Sequence, residues 1–157
     1  MITTKAHNIV LLLAILTVFQ IHARLSAEER HQAHAHESNT QYNLALNDGE
    51  PWLTDESTTR VATQMQSTLK QFLTNYEDPT LEELQTLGKE LKDYLDLLIR
   101  GCTMTGPAHD QLHHWLTKVI PEINHLRSTN KKSEGVRSVA HIDTLLNEYF
   151  TFFRAPE

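Results

Sequence analysis

Apolar side chains recur at every third or fourth position in four successive segments of this 157-residue chain, and this spacing strongly constrains its fold. Residues three and four apart share one face of an α-helix, so each segment predicts a helix with a single apolar face. Each such face has to be buried against another helix. The four apolar faces comprise Val61, Met65, Leu69, Phe72 and Tyr76; Leu81, Leu84, Leu87, Leu91, Leu95 and Leu98; Leu112, Leu116, Val119, Ile123 and Leu126; and Val136, Val139, Ile142, Leu146, Tyr149 and Phe153.

Residues near the predicted helix ends support these boundaries. Thr54 or Asp55 can cap the first helix, and Thr80 with Glu83 forms the capping-box pattern at the start of the second. Pro107 is favoured in the first turn of the third helix, whereas Pro121 should bend that helix or shift its hydrogen bonds. The connections are short, so we predict an all-α, up-down-up-down four-helix bundle over residues 54–157.

The N-terminus predicts a signal peptide over residues 1–27. Lys5 precedes the apolar run from Ile9 to Ile21, and small residues follow at Ala23 and Ala27. The run is shorter than the roughly 20 apolar residues that a membrane helix needs, although an uncleaved anchor is the alternative. We therefore predict a periplasmic or secreted protein with no stable membrane span after signal cleavage.

Residues 28–53 predict an extended, flexible arm. It carries His31, His34 and His36 in the sequence HQAHAH, and short His-rich tracts bind zinc, copper or nickel. A plain soluble linker is the alternative. Asn47 to Gly49 predict a turn, and the following Trp52 and Leu53 are expected to anchor the arm to the bundle.

The stretch GCTMTGPAHDQLHHWL holds the main candidate site. Cys102 and Met104 lie two apart in a connection, where an extended backbone points both side chains the same way. His109 and His113 lie four apart and share a helix face. A thiolate, a thioether and imidazoles suit Cu(I), with zinc as the alternative. Cys102 is the single cysteine, so no internal disulfide can form.

Several other interpretations compete with metal binding. Cys102 and Met104 could simply pack in the core, and the histidines could hydrogen-bond locally. His-Asp-Gln-Leu-His resembles the H-E-x-x-H motif of metalloproteases, but Asp110 replaces the general-base Glu. A Cys102 nucleophile lacks its usual context, and Met104 with His141 could hold a b-type haem. We predict no enzymatic activity, and His114 is expected to be exposed.

The segments LNDGEPW (Leu46 to Trp52) and CTMTGPAHDQLHHWL (Cys102 to Leu116) together resemble an uncharacterised family of small exported bacterial helical proteins. That family shows an L-N-x-G-x-x-W segment and a C-T-M-x-G-x-A-H-x-x-L-H block. The resemblance covers most of the chain after the signal peptide and implies a protein of the bacterial cell envelope. The resemblance implies no particular activity, and the HQAHAH tract is not part of the family pattern.

The sequence therefore predicts a periplasmic metal-binding protein, with copper as the preferred ion. The predicted ligands are Cys102, Met104, His109 and His113, with His31, His34 and His36 as auxiliary ligands. The predicted partners are the metal ion and other envelope proteins. The formal charge of −6 argues against nucleic-acid binding. The alternatives are a non-catalytic interaction or stress-response bundle with structural His and Cys residues, or b-type haem binding.

Overall fold

The computed structural model describes residues 43–157, which are predominantly helical. Four helices occur in this part of the chain, in an arrangement compatible with a four-helix bundle. Each helix packs against the next, and the fourth also packs against the first and second. The elements are β1 (Trp52–Leu53), α1 (Glu56–Asn75), α2 (Leu81–Gly101), α3 (Gly106–Ser128), α4 (Lys132–Phe152) and β2 (Phe153–Arg154).

The helix ends follow the local sequence closely. Asp55 caps α1 by accepting a hydrogen bond from the Thr58 backbone N–H, at 2.7 Å. The capping box predicted at Thr80 and Glu83 is confirmed, because each side chain accepts a hydrogen bond from the other residue's backbone N–H. α3 continues through Pro121 as one helix.

The core is apolar and contains a cluster of aromatic side chains at the α3–α4 contact. Trp115, Tyr149 and Phe153 are fully buried, and the rings of Tyr149 and Phe153 stack with centroids 4.9 Å apart. The Trp115 indole N–H donates to the Leu145 carbonyl oxygen at 2.7 Å, so its polar atom is satisfied inside the core. This contact fixes the middle of α3 against the C-terminal half of α4.

Two residues assigned to the apolar faces are exposed instead. Tyr76 is 40% exposed, because it follows the last residue of α1 in an extended conformation and leaves the helical face. Val136 is 45% exposed. Its neighbour Gly135 is buried in its place, and a Cβ at Gly135 would lie 3.1 Å from Leu84 Cδ1, so only a small residue fits there.

The segment before α1 is attached to the bundle at two places. β1 pairs in parallel with β2, with Trp52 opposite Phe153. Ala45 donates its backbone N–H to Gln111 Oε1 at 2.9 Å and accepts from the Trp52 indole N–H at 2.6 Å. The predicted turn is confirmed by positive φ angles at Asp48 and Gly49. Trp52 packs against the core, whereas Leu53 is 51% exposed.

The predicted signal peptide and most of the predicted arm lie outside the described residues. This applies to residues 1–42 and therefore to His31, His34 and His36. Within residues 43–157, no helix is both long enough and apolar enough to cross a membrane.

Candidate metal centre

Two imidazoles meet on the first turns of α3. The Nε2 atoms of His109 and His113 lie 3.1 Å apart, and the ring centroids are 4.5 Å apart with the planes at 81°. Two imidazoles bound to one tetrahedral ion, with metal–nitrogen bonds of about 2.0–2.1 Å, have nitrogens about 3.3 Å apart. The two Nε2 atoms form a hydrogen bond in which one ring donates to the other, and their separation is close to that of two ligands of one ion.

The start of α3 places this pair near the protein surface. Gly106 begins the helix with a φ of +70°, a conformation that favours glycine, and Pro107 follows in the first turn. One turn separates His109 from His113, so the rings lie side by side on the helix. His113 is exposed and His109 is half-buried, which leaves the pair open to an ion from solvent.

The two sulfur-bearing residues face the core instead. Cys102 has an extended backbone, and side-chain exposure alternates from half-buried Cys102 to exposed Thr103 to half-buried Met104. This alternation agrees with the prediction that Cys102 and Met104 point to the same side. Both pack against the apolar core. This orientation agrees with the alternative prediction that Cys102 and Met104 pack in the core.

Asp55 holds the connection between α2 and α3 in place. Its Oδ2 atom accepts from the Thr103 backbone N–H at 2.6 Å and from the Thr103 hydroxyl at 3.1 Å. Its Oδ1 atom accepts from Thr58 N–H and from the Ser57 hydroxyl. Partial burial acts to raise the pKa of Asp55, but the hydrogen bonds from Thr103, Thr58 and Ser57 outweigh it and lower the pKa well below its ordinary value.

The sequence suggested Asp55 only as a helix cap. Its link to Thr103 joins residues 48 positions apart, and the local sequence carries no signal for such a contact. The Ser57 hydroxyl adds a second link by donating to the Gly101 carbonyl oxygen at 2.7 Å. The N-terminus of α1 therefore sets the path of the chain from Gly101 to Thr103, immediately before the imidazole pair.

A group of hydroxyls lies close to the buried end of Tyr149. The hydroxyls of Thr54 and Thr59 contact each other. Burial raises the pKa of the Tyr149 hydroxyl, and the negative charge of Asp55 adds to this effect, whereas the nearby hydroxyls of Thr59 and Thr54 oppose it. The Tyr149 hydroxyl makes no hydrogen bond to another described residue.

The structure brings together only part of the predicted ligand set. Among residues 43–157, no three His, Cys, Asp or Glu side chains are grouped so that they could hold one metal ion. Cys102 is therefore not grouped with His109 and His113 in this conformation. Of the predicted ligands within the described residues, His109 and His113 are the two whose side chains contact each other.

The remaining described histidines have other surroundings. His125 Nε2 lies 3.5 Å from a Glu134 carboxylate oxygen, and His141 Nδ1 lies 3.2 Å from Glu122 Oε1. His141, the residue considered for haem, has a side chain that is 65% exposed. His114 is half-buried rather than exposed, so that expectation was wrong. It lies one position beyond His113, on the side of the helix next to buried Trp115.

Comparisons of the chain with protein-family models, with curated proteins and with solved structures give no match. The resemblance to a family of small exported bacterial proteins therefore stays a prediction.

Proposed function

We propose that this protein is an exported metal-binding protein of the cell envelope, with copper as the preferred ion and zinc as the alternative. The observation that supports this proposal is the 3.1 Å separation of the His109 and His113 Nε2 atoms on an accessible helix face. Imidazole is a suitable ligand for both metals, and for a given set of ligands Cu(II) binds more tightly than Zn(II). No catalytic step is part of the proposal.

Cys102 and Met104 remain predicted ligands for Cu(I) within this proposal. They would reach an ion held by the imidazoles only after turning away from the core, against which both now pack. That movement would also strain the hydrogen bonds from Thr103 to Asp55. We therefore propose that the imidazoles bind the ion first. Cys102 and Met104 would bind it only after the connection between α2 and α3 rearranges.

The proposal also includes the parts of the chain that precede the described residues. A signal peptide over residues 1–27 would export the protein, and His31, His34 and His36 would bind metal separately and more weakly, because ordering a flexible segment costs conformational entropy. The up-down-up-down course of the four helices belongs to the proposal as well; it rests on the short connections between helices that pack against each other.

Titration of the purified chain with Zn(II) and with Cu(I) under reducing conditions tests this function. Replacing His109 and His113 together by Ala should abolish metal binding by the bundle, since both nitrogen ligands are lost. The helix content in circular dichroism should stay unchanged, because neither ring belongs to the apolar core. His125→Ala, an exposed histidine on the same helix, is the matched control and should bind normally.

The same titration is repeated with His31, His34 and His36 replaced by Ala, so that the bundle site is measured without the tract. Equal affinity in this background before and after the His109 and His113 replacements would refute the proposed site. Replacing Cys102 by Ser tests the sulfur ligand: a loss of Cu(I) affinity with unchanged Zn(II) affinity would support its role.

A second candidate function is binding of a partner protein, and one groove favours it. The groove lies between the end of α1 and the start of α2 and has a volume of about 500 Å³. Phe72, Tyr76 and Leu87 contribute its apolar lining, and Glu82 and Glu90 contribute negative charge. If metal titrations show no binding, this groove is the place where an interaction function would be sought.

A further inference from the structure

The imidazole pair is an incomplete coordination sphere, and its surroundings indicate how it is completed. Zinc in structural sites takes four ligands, and Cu(II) takes four in a plane. His109 and His113 supply two nitrogens. Among residues 43–157, no third His, Cys, Asp or Glu joins them in a group that could hold an ion. A four-coordinate ion bound by this pair would therefore take two further ligands from outside this part of the chain.

We propose that a second copy of this chain fills them, so that one ion is held by His109 and His113 of both copies across a twofold axis. This inference rests on the proposed function, because it uses the same imidazole pair. A twofold axis through the ion presents the same two residues from each copy, and four imidazoles then surround the metal. Four nitrogen ligands satisfy either zinc or copper.

The helix surface around the pair is open enough for such an approach. One turn before His109 lies exposed Thr105, and one turn after His113 lies exposed Thr117, both with short side chains. At Gly106 a Cβ would meet nothing within 4 Å apart from its chain neighbours and its own helix backbone, so other described elements do not cover this end of α3. The exposed positions Thr105 and Thr117 would therefore not hold a second helix away from the pair.

Association through this surface should depend on the ion. The chain carries a formal charge of −6, so two copies repel each other. The residues flanking the pair offer little apolar area to offset that repulsion. A divalent ion bonded to two rings from each copy supplies the missing attraction, and the metal-free protein is expected to be a monomer.

Sedimentation equilibrium of the purified chain, with zinc as the probe and a reductant present to prevent Cys102 disulfides, tests the inference. All proteins compared carry Ala at positions 31, 34 and 36, which removes the N-terminal histidines as a source of ligands. We expect the mass to double at half an equivalent of zinc per chain and to return to the monomer value with a chelator. His109→Ala and His113→Ala should each abolish the doubling, whereas His125→Ala should retain it.

The other outcomes separate this inference from the proposed function. A monomer that binds one zinc ion through His109 and His113 would overturn the shared site and leave the proposed function intact. Dimers that persist in the His109→Ala and His113→Ala variants would also overturn it, because another surface would then join the copies. Absence of zinc binding by any of these proteins would overturn this inference, and the proposed function would then stand or fall on the Cu(I) titration alone.

Discussion

Replacing Asp55 by Ala should be among the most damaging single changes on the surface of this bundle. The carboxylate caps α1 through Thr58 N–H at 2.7 Å and receives two hydrogen bonds from Thr103, at 2.6 and 3.1 Å. Loss of an N-cap side chain costs about 1 kcal/mol. Hydrogen bonds to a charged group contribute about 1.5–3 kcal/mol each, and solvent screening at this half-exposed position reduces that contribution.

Together these terms predict a loss of about 2–4 kcal/mol in the free energy of unfolding. With a urea dependence of about 1.5 kcal/mol per molar, the unfolding midpoint should fall by roughly 1.5–2.5 M. Urea titration followed by circular dichroism measures this shift. Asp93→Asn, which removes an exposed carboxylate on α2, is the control and should change the midpoint little. A loss below about 0.5 kcal/mol for Asp55→Ala would refute the assigned role.

The Asp55 carboxylate should also make the free energy of unfolding depend on pH. Its pKa is lowered in the folded protein, so its contribution is fully present above the unfolded-state pKa of about 3.9 and is lost as the pH falls below that value. Unfolding midpoints measured from about pH 5 to pH 3 should therefore fall less steeply in Asp55→Asn than in the unmodified chain. Parallel slopes for the two proteins would contradict a specific role for this carboxylate.

Two changes in the core test the packing directly. A Cβ at Gly88 would lie 2.6 Å from the Arg127 backbone nitrogen, so Gly88→Ala should push α2 and α3 apart and destabilise the fold by about 1–3 kcal/mol, despite the better helix propensity of Ala. Gly101→Ala is the control, since its Cβ would meet its nearest neighbour at 3.5 Å and should cost little in urea unfolding. Trp115→Phe should cost about 2–3 kcal/mol, because it leaves a cavity and removes the indole hydrogen bond to the Leu145 carbonyl oxygen; an unchanged thermal midpoint would argue against that contact.

The local features of this protein could be predicted from its sequence. The four helices follow from apolar residues at three- and four-residue spacing, and the start of α2 follows from Thr80 and Glu83. The contact between His109 and His113 was equally local, since one helical turn brings residues four apart together. These predictions needed only the geometry of a helix and the turn residues that end it.

The direction of the sulfur-bearing side chains depends instead on long-range packing. Two-residue spacing predicts that Cys102 and Met104 share a side, but it contains no information on which side faces the core. That choice follows from Asp55, which holds Thr103 from 48 residues away and so turns its neighbours inward. The close approach of α2 to α3 at Gly88 is also set by packing, because contacts between distant segments depend on how whole helices fit together.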